Sequence, residues 1–182
     1  MDHGRDGRSR ERRRLTATKK APDARGSRYE APDAGPGFVL WQAATLWQRA
    51  VRAALEEVGL THAQFVLLAS AAWLEAQASW HGEPVTQVLV SAHARTDVVM
   101  TSEVLRTLER KALLRRLAHP TDARAKRIVV TRAGQRLVRR AVALVEAVDA
   151  AFFGSRGPEL RALVDVLCDC AAKNTDGAPG PN

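Results

Sequence analysis

Cysteine is nearly missing from this chain: Cys168 and Cys170 are the only two, and two positions apart on a helix they would point in different directions. A disulfide-stapled miniprotein is excluded, and a reducing cytoplasm fits best. Long apolar runs are also lacking, because the longest candidates are broken by Glu75 or by Glu146 and Asp149, well short of the ~18 residues a membrane span needs. A membrane protein is therefore not expected. The first residues are basic but carry no apolar stretch, and Asp2, Asp6 and Glu11 argue against a transit peptide. Motifs of catalysis are missing too: no phosphate-cradling glycine motif, no nucleophile elbow, and no paired carboxylates standing out from the charge pattern. The chain reads as a non-enzyme without a cofactor. His62, His81, His93 and His119 fall on separate elements without metal-ligand spacing, so no metal site is expected.

What is present is positive charge. The 182 residues, about one domain's worth, are 46% hydrophobic and 26% charged, ordinary for a globular protein, yet the formal net charge is +8. Nucleic acid leads the candidate partners. Residues 95–140 hold thirteen basic against four acidic side chains, and residues 1–37 hold ten against six, whereas the remainder is net negative. Such segregation points to a binding face. Residues 1–37 have no apolar periodicity and read as a disordered basic tail; phosphate neutralisation and an extension without a role both remain open for it.

The apolar spacing from Phe38 to Val58 predicts a first helix, ended by Gly59. Thr61 and Gln64 form a capping-box pattern for a second helix to about Gln77, with Leu60 able to staple onto Phe65 and the stretch 78–84 breaking the pattern. Thr86 offers a cap for a short helix to about His93, and Asp97 caps another. On that fourth helix Thr101, Val104, Leu105, Leu108 and Ala112 make an inward face, while Val99, Ser102, Glu103, Arg106 and Arg110 face outward. Leu114 and Leu117, the basic stretch 119–126, and the β-branched run Ile128–Thr131 then read as a hairpin. Thr131 caps a long helix stopped by Gly154 and Gly157-Pro158; a last helix covers about Glu159–Ala172, and 174–182 should fray.

Helix, tight turn, helix and hairpin is the order of a winged helix-turn-helix, in a chain that is mainly α with a small β-hairpin wing. Ser102 and Arg106, one turn apart, can approach base edges or phosphates together, and Arg suits bidentate contact with guanine. Arg115 and Arg116, flanking the first strand, suit phosphates, and the wing carries Arg124 and Lys126. Trp41, Trp47 and Phe65 could frame a ligand pocket, although aromatics at helical spacing are more often core. Cys168 and Cys170 lack basic neighbours that would make a reactive thiolate, and Asp169 opposes one.

The runs Thr86–Leu89, Met100–Leu114, Asp122–Arg124 and Ile128–Thr131 closely resemble the MarR family of bacterial transcription regulators. Most specific is the wing signature, met by Asp122, Arg124, Ile128 and Thr131. The resemblance covers about residues 38–172 and implies a homodimeric regulator, most often a repressor, in the bacterial cytoplasm on the nucleoid. It implies that Arg124 reaches the minor groove while Asp122 orients it through a salt bridge. It further implies a dimerisation helix at 38–60, a DNA-binding lobe at 61–131, C-terminal dimerisation helices at 132–173, and a pseudo-palindromic operator with half-sites roughly 34 to 36 Å apart. A small aromatic or anionic ligand that weakens DNA binding is the family's common habit. The chain departs from the family in one place: Ala112 stands where glycine is usual, so the turn must close without an easy left-handed residue. A non-specific chromosome-architecture protein on the same fold is the competing reading.

Overall fold

Pro36 takes a first helical position, where its missing N–H removes no bond, and opens the helix α1 (Pro36–Glu56) two residues before the expected boundary. In this computed structural model α1 is followed by α2 (His62–His81), α3 (Gln87–Ala94), α4 (Val98–Arg110), β1 (Leu114–Ala118), β2 (Lys126–Val130), α5 (Arg132–Phe153), a single 3-10 turn and α6 (Gly157–Thr175). The structure describes Tyr29 and residues 35–81, 83–122 and 124–175, apart from the side chains of 79–81 and 170–175. The expected basic tail falls almost wholly outside that range, as does most of the expected frayed end. The chain divides into two compact units, Met1–Ala43 and Ala44–Asn182. The hydrophobic core and the basic stretch 95–140 both belong to the second unit.

Local signals place most helix ends. Gln64 N–H donates to Thr61 Oγ1 (3.2 Å) and Thr61 N–H donates to Gln64 Oε1 (3.4 Å), the reciprocal capping box. Thr86, Asp97 and Thr131 each accept a helix N–H on their side-chain oxygen. Strands β1 and β2 pair antiparallel in register from Leu114 opposite Val130 to Ala118 opposite Lys126. The core that seats them joins Val51 and Leu55 of α1, Leu67, Leu68 and Ala71 of α2, Leu105 and Leu108 of α4, Leu114 and Ile128 of the hairpin, and Ala141 and Val145 of α5.

Beyond the ends of α1, other placements also differ from the sequence expectation. Helix α2 continues to His81 because nothing before Gly82 and Pro84 forbids it. Helix α6 starts at Gly157 and runs to Thr175, since Pro158 sits in a first turn where proline is tolerated; residues 174 and 175 are therefore helical, and Gly154, at φ 58, is the break. Arg115 and Arg116 lie inside β1 instead of flanking it. Ala112 is no inward-facing helical residue: α4 ends at Arg110 and Ala112 is exposed in the turn after it.

That turn closes in the left-handed region on alanine itself, with Ala112 at φ 57. Ala112 N–H donates to Glu109 O (2.8 Å) and Leu113 N–H to Leu108 O (3.0 Å), the paired bonds of a Schellman motif, with Leu113 packed into the core. The hydroxyl of Thr131 then donates to Ala112 O and Leu113 O (2.8 and 3.1 Å) while accepting Gly134 N–H (3.1 Å). Gly134 is obligatory at this junction, because a Cβ there would collide with Leu113 O and Val130 Cγ1. The root of the hairpin, the exit of α4 and the entry of α5 are thus one hydrogen-bonded knot.

Candidate nucleic-acid interface

Three residues, Arg95, Thr96 and Asp97, join α3 to α4, with Arg95 left-handed at φ 51. Ser91 Oγ donates to Thr96 O (2.6 Å), Thr101 Oγ1 donates to Asp97 O (2.7 Å), and Thr96 Oγ1 lies 2.8 Å from Thr101 Oγ1. Thr101 is fully buried and Ser91 nearly so, and these part-buried hydroxyl bonds tie the turn to both helices. Asp97 Oδ1 accepts Met100 N–H at 2.7 Å, which starts α4 cleanly.

With Thr101, Leu105 and Leu108 buried, the opposite face of α4 is free. Val99 is 71% exposed, Arg106 and Arg110 are exposed, and Ser102 is half-buried. Arg110 donates to Thr107 Oγ1 (2.9 Å) within the helix. Arg106, Arg110 and Arg116 line one open surface depression of about 570 Å³ together with Glu103, Thr107 and Glu109, so α4 and β1 present their basic groups side by side.

Not all the basic residues are equally free. Arg115 is exposed, but Arg116 is half-buried and pairs with Glu109. That contact holds the Glu109 carboxyl below the usual carboxylate range, mainly through the Arg116 side chain. Lys111 Nζ donates to Gly59 O (2.9 Å) and Gln64 Oε1 (3.0 Å), bracing the turn between α1 and α2.

The wing loop is organised by two short side chains. His119 Nδ1 accepts the N–H groups of Thr121 and Asp122 (3.3 and 3.1 Å). Asp122 Oδ1 then accepts the Arg124 N–H at 2.9 Å, and Asp122 O accepts the Ala125 N–H. Among the described residues no ion pair joins Asp122 to the Arg124 guanidinium; the aspartate shapes the backbone that carries Arg124. Arg124 and Lys126 are exposed.

The three aromatic ligand candidates are placed as follows. Trp47 is half-buried and donates its indole N–H to Asp149 Oδ1 (2.7 Å), with its ring against His62 (5.4 Å) and Phe153 (6.4 Å). Phe65 packs half-buried against the core. Trp41, in the first unit, is 61% exposed and stacks on Phe38. Burial, and behind it the charge of Arg52, keeps the His62 imidazole below the usual histidine range.

One participant has no sequence motif. Glu75 Oε1 accepts the Val130 N–H (3.0 Å) and Oε2 lies 3.4 Å from Gln135 Nε2, so a single α2 carboxylate binds the end of the wing and the start of α5. Burial pushes its carboxyl above the usual range. The one available signal is that Glu75 is the only acid within α2. Among the described residues, no three His, Cys, Asp or Glu are placed to hold a metal ion, and no helix is long and apolar enough to cross a membrane.

No protein-family model matches the chain. YdcH of Bacillus subtilis (strain 168), described as an uncharacterized HTH-type transcriptional regulator, is 43% identical over 129 residues, which cover 71% of this chain and 85% of that protein. A transcriptional regulator (MarR family) from Rhodococcus sp. RHA1 superposes with a TM-score of 0.66 at 28% identity, covering 79% of this chain and 96% of the other. The M. tuberculosis transcriptional regulator MosR in complex with DNA superposes with a TM-score of 0.62 at 27% identity, covering 76% and 97%.

Proposed function

This chain belongs to the MarR family of winged helix-turn-helix transcriptional regulators, and on that footing we propose that it binds a pseudo-palindromic operator as a homodimer and represses transcription until a small molecule releases it. The observation that carries the reading is the outward face of α4: Val99, Ser102, Arg106 and Arg110 stand on a helix whose buried side is locked by Thr101, Leu105 and Leu108. Such a helix can enter the major groove without rearrangement. Arg106 reads a base edge, Val99 offers apolar contact to a thymine methyl, and Ser102 hydrogen-bonds beside them. Arg110, Arg115 and Lys126 neutralise phosphates, and Arg124, presented by Asp122, enters the adjoining minor groove.

Homodimerisation through 38–60 and 132–173 is supported by apolar side chains left at the surface of those segments. Leu46 on α1, Phe152 on α5, and Leu163, Val164 and Val166 on α6 are each more than 40% exposed. The releasing ligand, a small aromatic or anionic molecule, rests on the family's habit, with Trp47 and Phe65 its candidate neighbours. The protein acts in the cytoplasm, on the nucleoid.

The experiment is binding of the purified chain to DNA upstream of its own and neighbouring genes, against random competitor, across a salt series with footprinting. A protected pseudo-palindrome whose preference survives physiological salt is expected. Uniform, steeply salt-dependent binding without a footprint would instead identify an architectural protein.

A further inference from the structure

Among the described residues strand β2 has one partner strand, so its outer edge needs other acceptors. Residues two apart on a strand turn their N–H groups the same way, and on β2 the outward pair is Ile128 and Val130. Ile128 N–H donates to Val85 O at 2.8 Å, just before α3, where Thr86 also bridges Arg127. The connecting segment ends there, and Val130 N–H finds Glu75 Oε1 instead, 55 residues away on α2. The other carboxylate oxygen meets Gln135 in the first turn of α5. One side chain therefore ties together the helix behind the recognition unit, the wing and the helix that leaves it.

We propose that Glu75 is the positioning residue of the wing: by capping the outer edge of β2 at Val130 it fixes the angle at which the hairpin presents Arg124 beside α4. Neither neighbour offers Val130 N–H another acceptor, because the strand's other edge is taken by β1 and the Val85 carbonyl by Ile128. Glu75 also borders an open cavity of about 530 Å³ with Glu83, Pro84, Pro120 and Arg127. When the carboxylate is removed, water can reach Val130 through that space, so the wing loosens while the core beneath it stays packed. The inference rests on the reading that Arg124 touches DNA.

The test is a thermodynamic cycle on the duplex protected in the footprint, using Glu75→Ala and Glu75→Gln, each with Arg124 intact and with Arg124→Ala. Glutamine keeps an oxygen for Val130 and, with the Gln135 amide turned over, a donor for its partner, so Glu75→Gln should bind within about twofold of the parent. Glu75→Ala should weaken binding about tenfold when Arg124 is present and less than about twofold when it is absent, the non-additivity expected of residues acting through one element. Amide exchange of the free protein should show Val130 losing protection in Glu75→Ala and keeping it in Glu75→Gln. Equal losses in both Arg124 backgrounds, or unchanged Val130 exchange in Glu75→Ala, overturn the proposal. Arg124→Ala binding like the parent overturns instead the DNA contact on which it rests, and Val130 exchange still decides whether Glu75 holds the wing.

Discussion

Arg116 gives the Glu109 carboxylate two hydrogen bonds, one from its backbone N–H at 2.9 Å and one from its guanidinium Nε at 2.8 Å. The last turn of α4 is thereby fastened to the first strand of the wing, and an arginine in the most basic stretch of the chain is committed to another side chain. Its neighbour Arg115, on the opposite side of the strand, is exposed and has no such tie among the described residues. The two should separate in solution. Arg115→Ala should weaken DNA binding and make log K against log salt shallower by about 0.9, one phosphate's worth. Arg116→Ala should leave that slope nearly unchanged and lower protein stability by up to about 1 kcal/mol, the usual range of such a pair. A binding titration at four salt concentrations and a thermal melt separate the two roles; a slope change for Arg116→Ala as large as for Arg115→Ala would show that the ion pair opens on DNA.

The exposed face of α4 and the wing predict different losses. If Arg106 reads a base edge as proposed, Arg106→Ala should cost about 1–3 kcal/mol on the operator and relax base preference at one position per half-site. Arg124→Ala should weaken binding more evenly across sequences and flatten the salt dependence. Selection of bound sequences from a randomised pool, run for both variants, checks this. Identical losses on every sequence for both would remove the distinction between reader and anchor.

Trp47 links α1 to α5 through Asp149, and His62 lies edge-on to the same ring, which makes that corner sensitive to acid. The His62 pKa is lowered in the folded state, first by burial and then by Arg52. Between the folded value and the unfolded one near ~6.5, the unfolded chain therefore binds more protons, so stability falls as pH drops through that window and levels off below the folded value. His62→Phe keeps an aromatic edge for Trp47 and removes the titration. Denaturant midpoints measured from pH 8 to pH 5 should show a smaller acid loss in His62→Phe than in the parent; an unchanged acid loss would move the sensitivity elsewhere.

Legibility followed distance along the chain. Thr61, Thr86, Asp97 and Thr131 announced their helices because a cap needs only a side chain and an N–H up to three residues on. The outward face of α4 was readable for the same reason, periodicity being a local property. Glu75 was visible only as an interruption of an apolar run, because its partners stand 55 and 60 residues away. The tie between Arg116 and Glu109 spans only seven residues, but it depends on how the chain turns at Ala112, and that conformation runs against the residue's own preference. Helix α2 outran its expected end because alanine, serine and tryptophan do not stop a helix until Gly82 and Pro84 arrive.

Ala112 offers the sharpest stability test. An L-residue in the left-handed region costs roughly 1–2 kcal/mol, and Ala112 sits there at φ 57 because the Schellman bonds from Ala112 and Leu113, and the Thr131 hydroxyl on the far side, hold the turn closed. Glycine removes that strain but brings an unfolded chain with more freedom, which returns about 0.5–1 kcal/mol. The methyl group is exposed, so no packing is lost. The balance favours glycine: Ala112→Gly should stabilise the protein by about 0.5–1 kcal/mol, which for a chain of this length raises Tm by roughly 1–4 °C. Glycine is also the residue usual at this position in the family, so DNA binding should be preserved. A Tm that stays level or falls would mean that the surrounding bonds relax with the substitution and that alanine carries no strain at the wing root.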